Sequence, residues 1–461
     1  MRVPTLCLPF LIPLAVAAEP LTALDMDEAV RLALENNLDV RIAAEAEKSA
    51  EAADWSAMTG FFPSVSADVT YLKYTGAMSS YNMGGYGGYG SYQTAGPEDP
   101  WWGVDESVGD QGGSSGDLDY ENFTTSITLT QPIFNGGAVY WGKVMAAAGE
   151  EMAELQLVAA RQAAILAVKQ AYLDSLRADE LLAVQRKNQE NLTHHVQITQ
   201  ANLDVGLASR VDLLRAEAEL ASAESEVIAA QNAVRLSRVN LADVLGVELD
   251  REVRLAPVET GDPSGPAFTL DEALDYAREN NPGLAAVRKS ERLAEGQFGL
   301  AASAFWPSVN LQAAYGWAQG NNFAFYDDED YWRIGVSASL DLFNSTQRLA
   351  DVAQARAEQR KTRLEIQLTE RTILTGVEAA YLGLEEKVAQ IGVSTKQLEA
   401  ADRALDLMDQ MVAQGLISDV EADYLDINLA YLMARLGEVS ARYDYLAARE
   451  NLASLMGTIE P

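Results

Sequence analysis

The chain is written twice, and this constrains its fold more than any other feature. Met26-Asp27-Glu28-Ala29 returns as Leu270-Asp271-Glu272-Ala273, Glu35-Asn36-Asn37 as Glu279-Asn280-Asn281, and Pro63-Ser64-Val65 as Pro307-Ser308-Val309, each 244 residues on. Further along, Phe134-Asn135 matches Phe343-Asn344, Ala171-Tyr172-Leu173 matches Ala380-Tyr381-Leu382, and Gly206-Leu207 matches Gly415-Leu416, now 209 residues on. The difference between the two offsets gives the first copy 35 extra residues between Pro63 and Phe134. A repeat of this length duplicates a whole structural unit, not a short solenoid period. Within each copy the order is helix, strand, loop, strand, very long helix, tight turn, long helix.

Residues 1–18 read as an export signal. Arg2 supplies the positive charge, Leu6 to Val16 the short apolar stretch, and Ala15-Val16-Ala17-Ala18 a small-residue cleavage site before Glu19. The stretch is too short to cross a bilayer. Cys7, the one cysteine, lies inside it, so the exported chain is expected to have neither disulfide nor thiol chemistry. No later run approaches the roughly 18 consecutive apolar residues of a membrane helix. An exported chain of this kind is periplasmic, secreted or an outer-membrane β-barrel. Acidic residues outnumber basic ones by 68 to 34, for a net charge of −34, which repels nucleic acid and anionic headgroups.

The strands alternate. Residues 64–72 and 123–131 form one predicted pair, and 308–317 and 331–342 the other. Val309, Leu311, Ala313, Tyr315 and Trp317 alternate with Ser308, Asn310, Gln312, Ala314 and Gly316; Val65, Ala67, Val69 and Tyr71 repeat the theme in the first copy. An apolar and a polar face at period two over about ten residues suits a transmembrane β-strand. A half-buried soluble sheet uses the same alternation, so the strands alone do not decide.

The helices carry the decision. The spans 136–204 and 345–414 are predicted long helices, each followed by a second, 209–246 and 418–456. Gly136 to Asp204 contains no proline, and it is about 100 Å long at 1.5 Å per residue. Leu213, Leu220, Val227, Val234 and Leu241 then keep a strict heptad beside a seam of small residues, Ala216, Ala223, Ala230 and Ser237. Leu425, Leu432, Val439 and Leu446 keep the same spacing in the second copy. Sustained heptads mean coiled-coil packing, and a short turn makes each pair an antiparallel hairpin. Four strands cannot close a membrane barrel, and open edges are not tolerated in lipid, so the chain must recruit copies of itself. Three copies give twelve strands.

The duplicated order resembles the TolC family of trimeric outer-membrane efflux and type I secretion ducts, over essentially the whole exported chain. The joints Phe62-Pro63-Ser64 and Trp306-Pro307-Ser308, then Pro132-Ile133-Phe134-Asn135-Gly136-Gly137 and Leu342-Phe343-Asn344-Ser345, carry the resemblance. The tips Val205-Gly206-Leu207-Ala208-Ser209 and Gln414-Gly415-Leu416-Ile417-Ser418 complete it. The resemblance implies a mainly α fold with a small β part. Four strands per chain would complete a 12-stranded trimeric β-barrel in outer-membrane lipid, above a periplasmic α-barrel of coiled coils. It implies a passive channel rather than an enzyme, without cofactor. The partners implied are a periplasmic adaptor (membrane fusion) protein and an inner-membrane pump of RND or ABC type.

Candidate site residues lie at the two tips. Gly206 and Gly415 can take the left-handed conformation that ends a helix. Ser209 with Asp212, and Ser418 with Glu421, have the spacing of a capping box. Capping does not account for Leu207 and Leu416 at the extremity; by resemblance they dock the adaptor's helical hairpins. Also by resemblance, Asp419, Glu421 and Asp423 narrow the periplasmic mouth, with Glu421 serving the cap equally well. Ile417 and Tyr424 stand where the family carries latch residues, so a salt-bridge latch is not expected. His194 and His195 are adjacent, their side chains diverging by about 100° on a helix, so they cannot chelate one ion.

The chain thus divides into a signal peptide (1–18), a first repeat (19–246), a linker (247–267) with a short strand at Val253-Arg254-Leu255, and a second repeat (268–461). The Gly- and Tyr-rich loop 75–120 is expected outside the cell, as a tether or a lid. A soluble periplasmic or cell-surface coiled-coil scaffold is the alternative to the duct.

Overall fold

The computed structural model describes residues 23–76, 118–247, 253–258, 263–320, 330–344, 346–413 and 420–459. The export signal and most of the 75–120 loop lie outside the described residues. The first repeat runs β1 (Ala23–Leu24), α1 (Met26–Asn36), α2 (Leu38–Thr59), β2 (Ser64–Gly76), β3 (Leu118–Asn135), α3 (Ala138–Asp204) and α4 (Arg210–Leu245). After β4 (Arg254–Leu255) come α5 (Leu270–Asn280), α6 (Pro282–Ser303), β5 (Ser308–Gly320), β6 (Asp330–Ser339), α7 (Gln347–Ala413) and α8 (Val420–Met456). The duplication is almost exact in element length. The pairs α1 and α5 have 11 residues each, α2 and α6 have 22, β2 and β5 have 13, and α3 and α7 have 67.

Residues 58–139 and 302–348 form a strand unit. Its four strands are antiparallel in the order β2-β3-β5-β6, leaving β2 and β6 as edges. Three of the four strands outrun the alternating stretch read from sequence. Backbone pairing continues to Gly76 opposite Leu118, past the point where the alternation changes phase, apolar residues moving from odd positions (Val69, Tyr71) to even ones (Leu72, Tyr74). The fourth strand stops short of the expected 331–342, because Ser339 already pairs with Ser308, the first residue of β5. Leu340 and Leu342 lie beyond it and are exposed. A register shift between Pro132 and Phe134 falls where proline can donate no ladder hydrogen bond. The apolar members of the edge strands, Val65 and Val69 on β2 and Trp332, Ile334 and Val336 on β6, are all exposed within one chain.

The two 67-residue helices, α3 and α7, each begin two residues later than their sequence spans. Gly136 and Gly137 have φ of 64° and 88°, and Thr346, the repeat mate of Gly137, has 66°; none is helical. At Gly136 the reason is steric. A Cβ there would lie 2.3 Å from the carbonyl oxygen of Ser303.

The helical unit comprises residues up to Ala57, 140–301 and 349 onward. Its core gathers Leu24, Val30, Ile165, Val168, Tyr172, Leu241, Leu245, Val377, Val439 and Leu446, all buried. The heptad reading of α4 agrees with this burial: Leu213, Val227 and Leu241 are buried, as are Ala216 and Ala223 from the small seam. The repeated asparagines have a common task. Asn37 ends α1, and its Oδ1 accepts from the backbone N–H groups of Asp39 and Val40 at 2.9 and 3.3 Å. Its Nδ2 donates to the Val244 carbonyl at 2.9 Å, near the end of α4. Asn281 does the same with Leu284 and Leu455. One side chain thereby turns the short helix into the next and ties the turn to the long hairpin.

The linker strand β4 pairs in parallel with β1, through Ala23 with Arg254 and Leu24 with Leu255. The Tyr172 hydroxyl lies 2.9 Å from the Leu24 carbonyl and 2.8 Å from that of Ala256, donating its proton to this pair. Burial pushes its pKa up to about 12, so it stays a donor at any physiological pH. Its repeat mate Tyr381 donates to the Phe268 carbonyl at 3.2 Å.

Candidate functional site: the helical tips

The first tip is a compact turn between α3 and α4. Gly206 sits at φ 79°, with open space around the position a Cβ would take. The N–H groups of Gly206 and Leu207 close back on the carbonyls of Leu203 and Asn202 at 3.0 and 2.8 Å. Ser209 then caps α4 reciprocally: its Oγ accepts from the Asp212 N–H at 3.2 Å, and its own N–H donates to Asp212 Oδ2 at 2.8 Å. Hydrogen bonding from Ser209 to the carboxylate, through its hydroxyl foremost and its backbone N–H next, holds the Asp212 carboxyl below its ordinary value.

Leu207 is 76 % exposed at the extremity, with Val205, Val211 and Leu214 exposed beside it. Four apolar side chains therefore stand in water at one turn, outside the core. The sequence reading singled out Leu207 alone. Val205, Val211 and Leu214 were legible too, as apolar residues off the heptad of Leu213 and Leu220.

Of the second tip, Gly415, Leu416, Ser418 and Asp419 lie outside the described residues. Glu421 falls in the first turn of α8, and Asp423 is exposed there. Tyr424 turns inward and is buried against Leu405 and Met408 of α7. Its ring stacks on His195 of α3, with centroids 4.1 Å apart and planes within 7°. One heptad up α3, buried Asn188 accepts a hydrogen bond from buried Asn428 of α8 at 2.9 Å. The seam between the two repeats is therefore polar and aromatic near the tips. The two histidines diverge as their spacing requires: His194 is exposed and His195 buried.

Farther from the tips the same seam is ionic. Asp444 of α8 joins Arg177 of α3 at 3.1 Å and Lys387 of α7 at 3.3 Å. Glu180 takes Arg442 and the Tyr443 hydroxyl, and burial raises the Tyr443 pKa. A cavity of about 400 Å³ opens between α3 and α8, lined by Glu180, Lys187, Asn188, Tyr431, Arg435 and Arg442. Its cations are already paired, Lys187 with Glu190, Arg435 with Glu438 and Arg442 with Glu180. Among the described residues no group of three histidine, cysteine or carboxylate side chains could hold a metal ion. No described helix is long and apolar enough to cross a membrane.

Two strand hairpins, each feeding a 67-residue helix, have the element order expected of an outer-membrane channel with a coiled-coil extension. The model of the outer membrane efflux protein family matches residues 29–247 and 273–458, one segment per repeat, and the chain belongs to that family. It is 25 % identical to the outer membrane protein TolC of Vibrio cholerae over 67 % of this chain and 70 % of that one. It is 24 % identical to the alkaline protease secretion protein AprF of Pseudomonas aeruginosa over 75 % of this chain and 71 % of the other. The crystal structure of the Campylobacter jejuni CmeC outer membrane channel shares the fold, with a TM-score of 0.76 at 17 % identity over 94 % of this chain and 85 % of that one. The protein is an exit duct of the outer membrane with a periplasmic extension, not an enzyme. A soluble scaffold is not favoured by these similarities.

Proposed function

We propose that three copies close one twelve-stranded barrel and one α-helical tube, and that this duct is the passive outer end of a tripartite efflux or type I secretion machine. The observation that supports this best is the four-stranded sheet with both edges unpaired and apolar residues exposed along them. In lipid each unpaired backbone group costs several kcal/mol, on the order of the desolvation of a buried amide, so β2 of one copy pairs with β6 of the next. The driving force comes from an inner-membrane pump of RND or ABC class, reached through a periplasmic adaptor. The adaptor's helical hairpins dock on Leu207 and its exposed neighbours, and on Leu416 at the second tip. Gly206, Gly415 and the caps at Ser209, Asp212 and Ser418 hold these turns in shape. Asp419, Glu421 and Asp423, repeated around the axis, restrict the mouth.

The experiment is Leu207→Asp combined with Leu416→Asp. A charge at an exposed turn costs the free duct little, but must be desolvated against an adaptor. Helical circular dichroism and outer-membrane insertion stay as in the parent, while export is lost. Export at the parent level would refute docking at the tips.

A further inference from the structure

The internal duplication turns a contact inside the chain into a forecast of a contact between chains. Within one chain α3 packs antiparallel on α6. The Trp141 ring lies so close over Gly299 that a Cβ there would meet it at 2.1 Å, and Met145 lies over Gly296 in the same way. One turn further along α3, Glu151 takes Lys289 at 2.7 Å and Arg292 at 3.2 Å.

The repeat mates of these residues are fixed by element ends. Helices α3 and α7 are 209 residues apart at both ends, and α2 and α6 are 244 apart at both ends. Trp141 therefore maps to Ala350 and Gly299 to Trp55. The large and small partners have changed sides. Glu151 maps to Arg360 and Lys289 to Glu45, so this pair has exchanged its charges as well, while Arg292 maps to Lys48 and keeps its sign. Both exchanges preserve complementarity, one of volume and one of sign. Yet in this chain the four mates are not brought together. Trp55 is 69 % exposed, and Ala350, Glu45 and Arg360 are exposed too. The opposite side of α2 is already committed to α3 of its own repeat, through Val40 on Leu157 and Ala164 and through Asp54 with Lys143.

We propose that the face of α2 carrying Glu45 and Trp55 docks on α7 of a second copy of this chain, with Trp55 over Ala350 and Glu45 paired to Arg360. The assignment rests on the reading that copies close a ring, and supplies the residues that join them. The contact is head to tail, the kind that closes a ring rather than a two-fold pair. Glu45 leaves only a solvent-exposed partner, Lys48 on its own helix at 2.8 Å, an interaction of little worth. A third correspondence runs the same way. Gln162 of α3 donates to the Gly457 carbonyl at 3.2 Å, while its mate Arg371 is exposed, and the proposed docking sets it toward Gly246, the glycine that closes α4 as Gly457 closes α8, of the second copy.

The test is disulfide trapping in the full chain with Cys7→Ser, carrying Trp55→Cys and Ala350→Cys together. Mild oxidation yields a covalent ladder of two and three chains on non-reducing denaturing gels. The ladder is lost when Ala53→Cys, about 200° around α2 by helix geometry, replaces Trp55→Cys. Arg360→Glu lowers the fraction of assembled duct in mild detergent, and Glu45→Lys in the same chain restores it. A trimer by native mass with no ladder and no charge rescue would overturn this contact and leave the duct reading standing. A monomer by native mass for the parent would overturn both.

Discussion

At Gly246 the backbone sits at φ 67° and a Cβ would lie 2.8 Å from the carbonyl oxygen of Asn36; at its mate Gly457 the values are 81° and 2.6 Å from Asn280. Both positions close the long hairpins against the Asn-Asn turns. Gly206 shares the left-handed conformation but has open space around it. Substitution by alanine separates the two demands. Gly206→Ala carries only the conformational cost, roughly 1–2 kcal/mol. Gly246→Ala and Gly457→Ala add a backbone clash, so their apparent Tm, followed by helical circular dichroism, falls further than that of Gly206→Ala. Equal shifts at all three would mean that the close approach to Asn36 and Asn280 is not confining. On the proposed reading the acids of the second tip ring the mouth, and a ring of like charge concentrates cations. Asp419→Asn with Asp423→Asn therefore raises single-channel conductance in planar bilayers and weakens block by divalent cations. Parent-like conductance and block would place the constriction elsewhere. Glu421→Gln is the poorer probe, because the same residue stands at the capping position of α8.

Among elements, the two-residue strands β1 and β4 are held by a tyrosine hydroxyl as well as by their own pairing. Tyr172→Phe removes the donor to the part-buried Ala256 carbonyl, a cost of up to about 1–3 kcal/mol for an unsatisfied buried group, while the Leu24 carbonyl keeps the Ala256 N–H at 2.9 Å. Tyr381→Phe loses a single, longer bond to Phe268. The first substitution opens the chain near β1 and β4 to limited proteolysis sooner than the second does, and identical cleavage rates would refute that ranking. These two elements also mark where sequence reasoning stops. Long helices, strand alternation and the cap at Ser209 and Asp212 were legible, because periodicity and capping are local. Val253-Arg254-Leu255 was read as a short strand, but its partner Ala23–Leu24 was not, since two residues carry no period and their pairing spans the whole first repeat. The strand ends at Gly76 and Leu118 escaped because the alternation changes phase after Tyr71 and before Phe123 while backbone pairing continues. The Glu-Asn-Asn repeats announced a shared role, yet the bonds from Asn37 to Val244 and from Asn281 to Leu455 are visible only in three dimensions. Tyr424 was read as a gap in an acidic gate, and the stack on His195 supplies its structural reason.

At the scale of the whole molecule, the sheet decides what the chain must do. It has four strands, two open edges, and exposed Val65, Val69, Trp332, Ile334 and Val336 along them. Two chains would give eight strands, and three give twelve, both even numbers that barrels use. The helices bear on the choice, since each chain contributes four long ones, and their exposed apolar rows, such as Leu364 and Leu368 on α7 and Ile228 and Leu236 on α4, await neighbours. Native mass spectrometry of the exported chain in mild detergent, with helical circular dichroism recorded on the same sample, measures the outcome directly. The account predicts a single species of three chains. A folded monomer or dimer would contradict it.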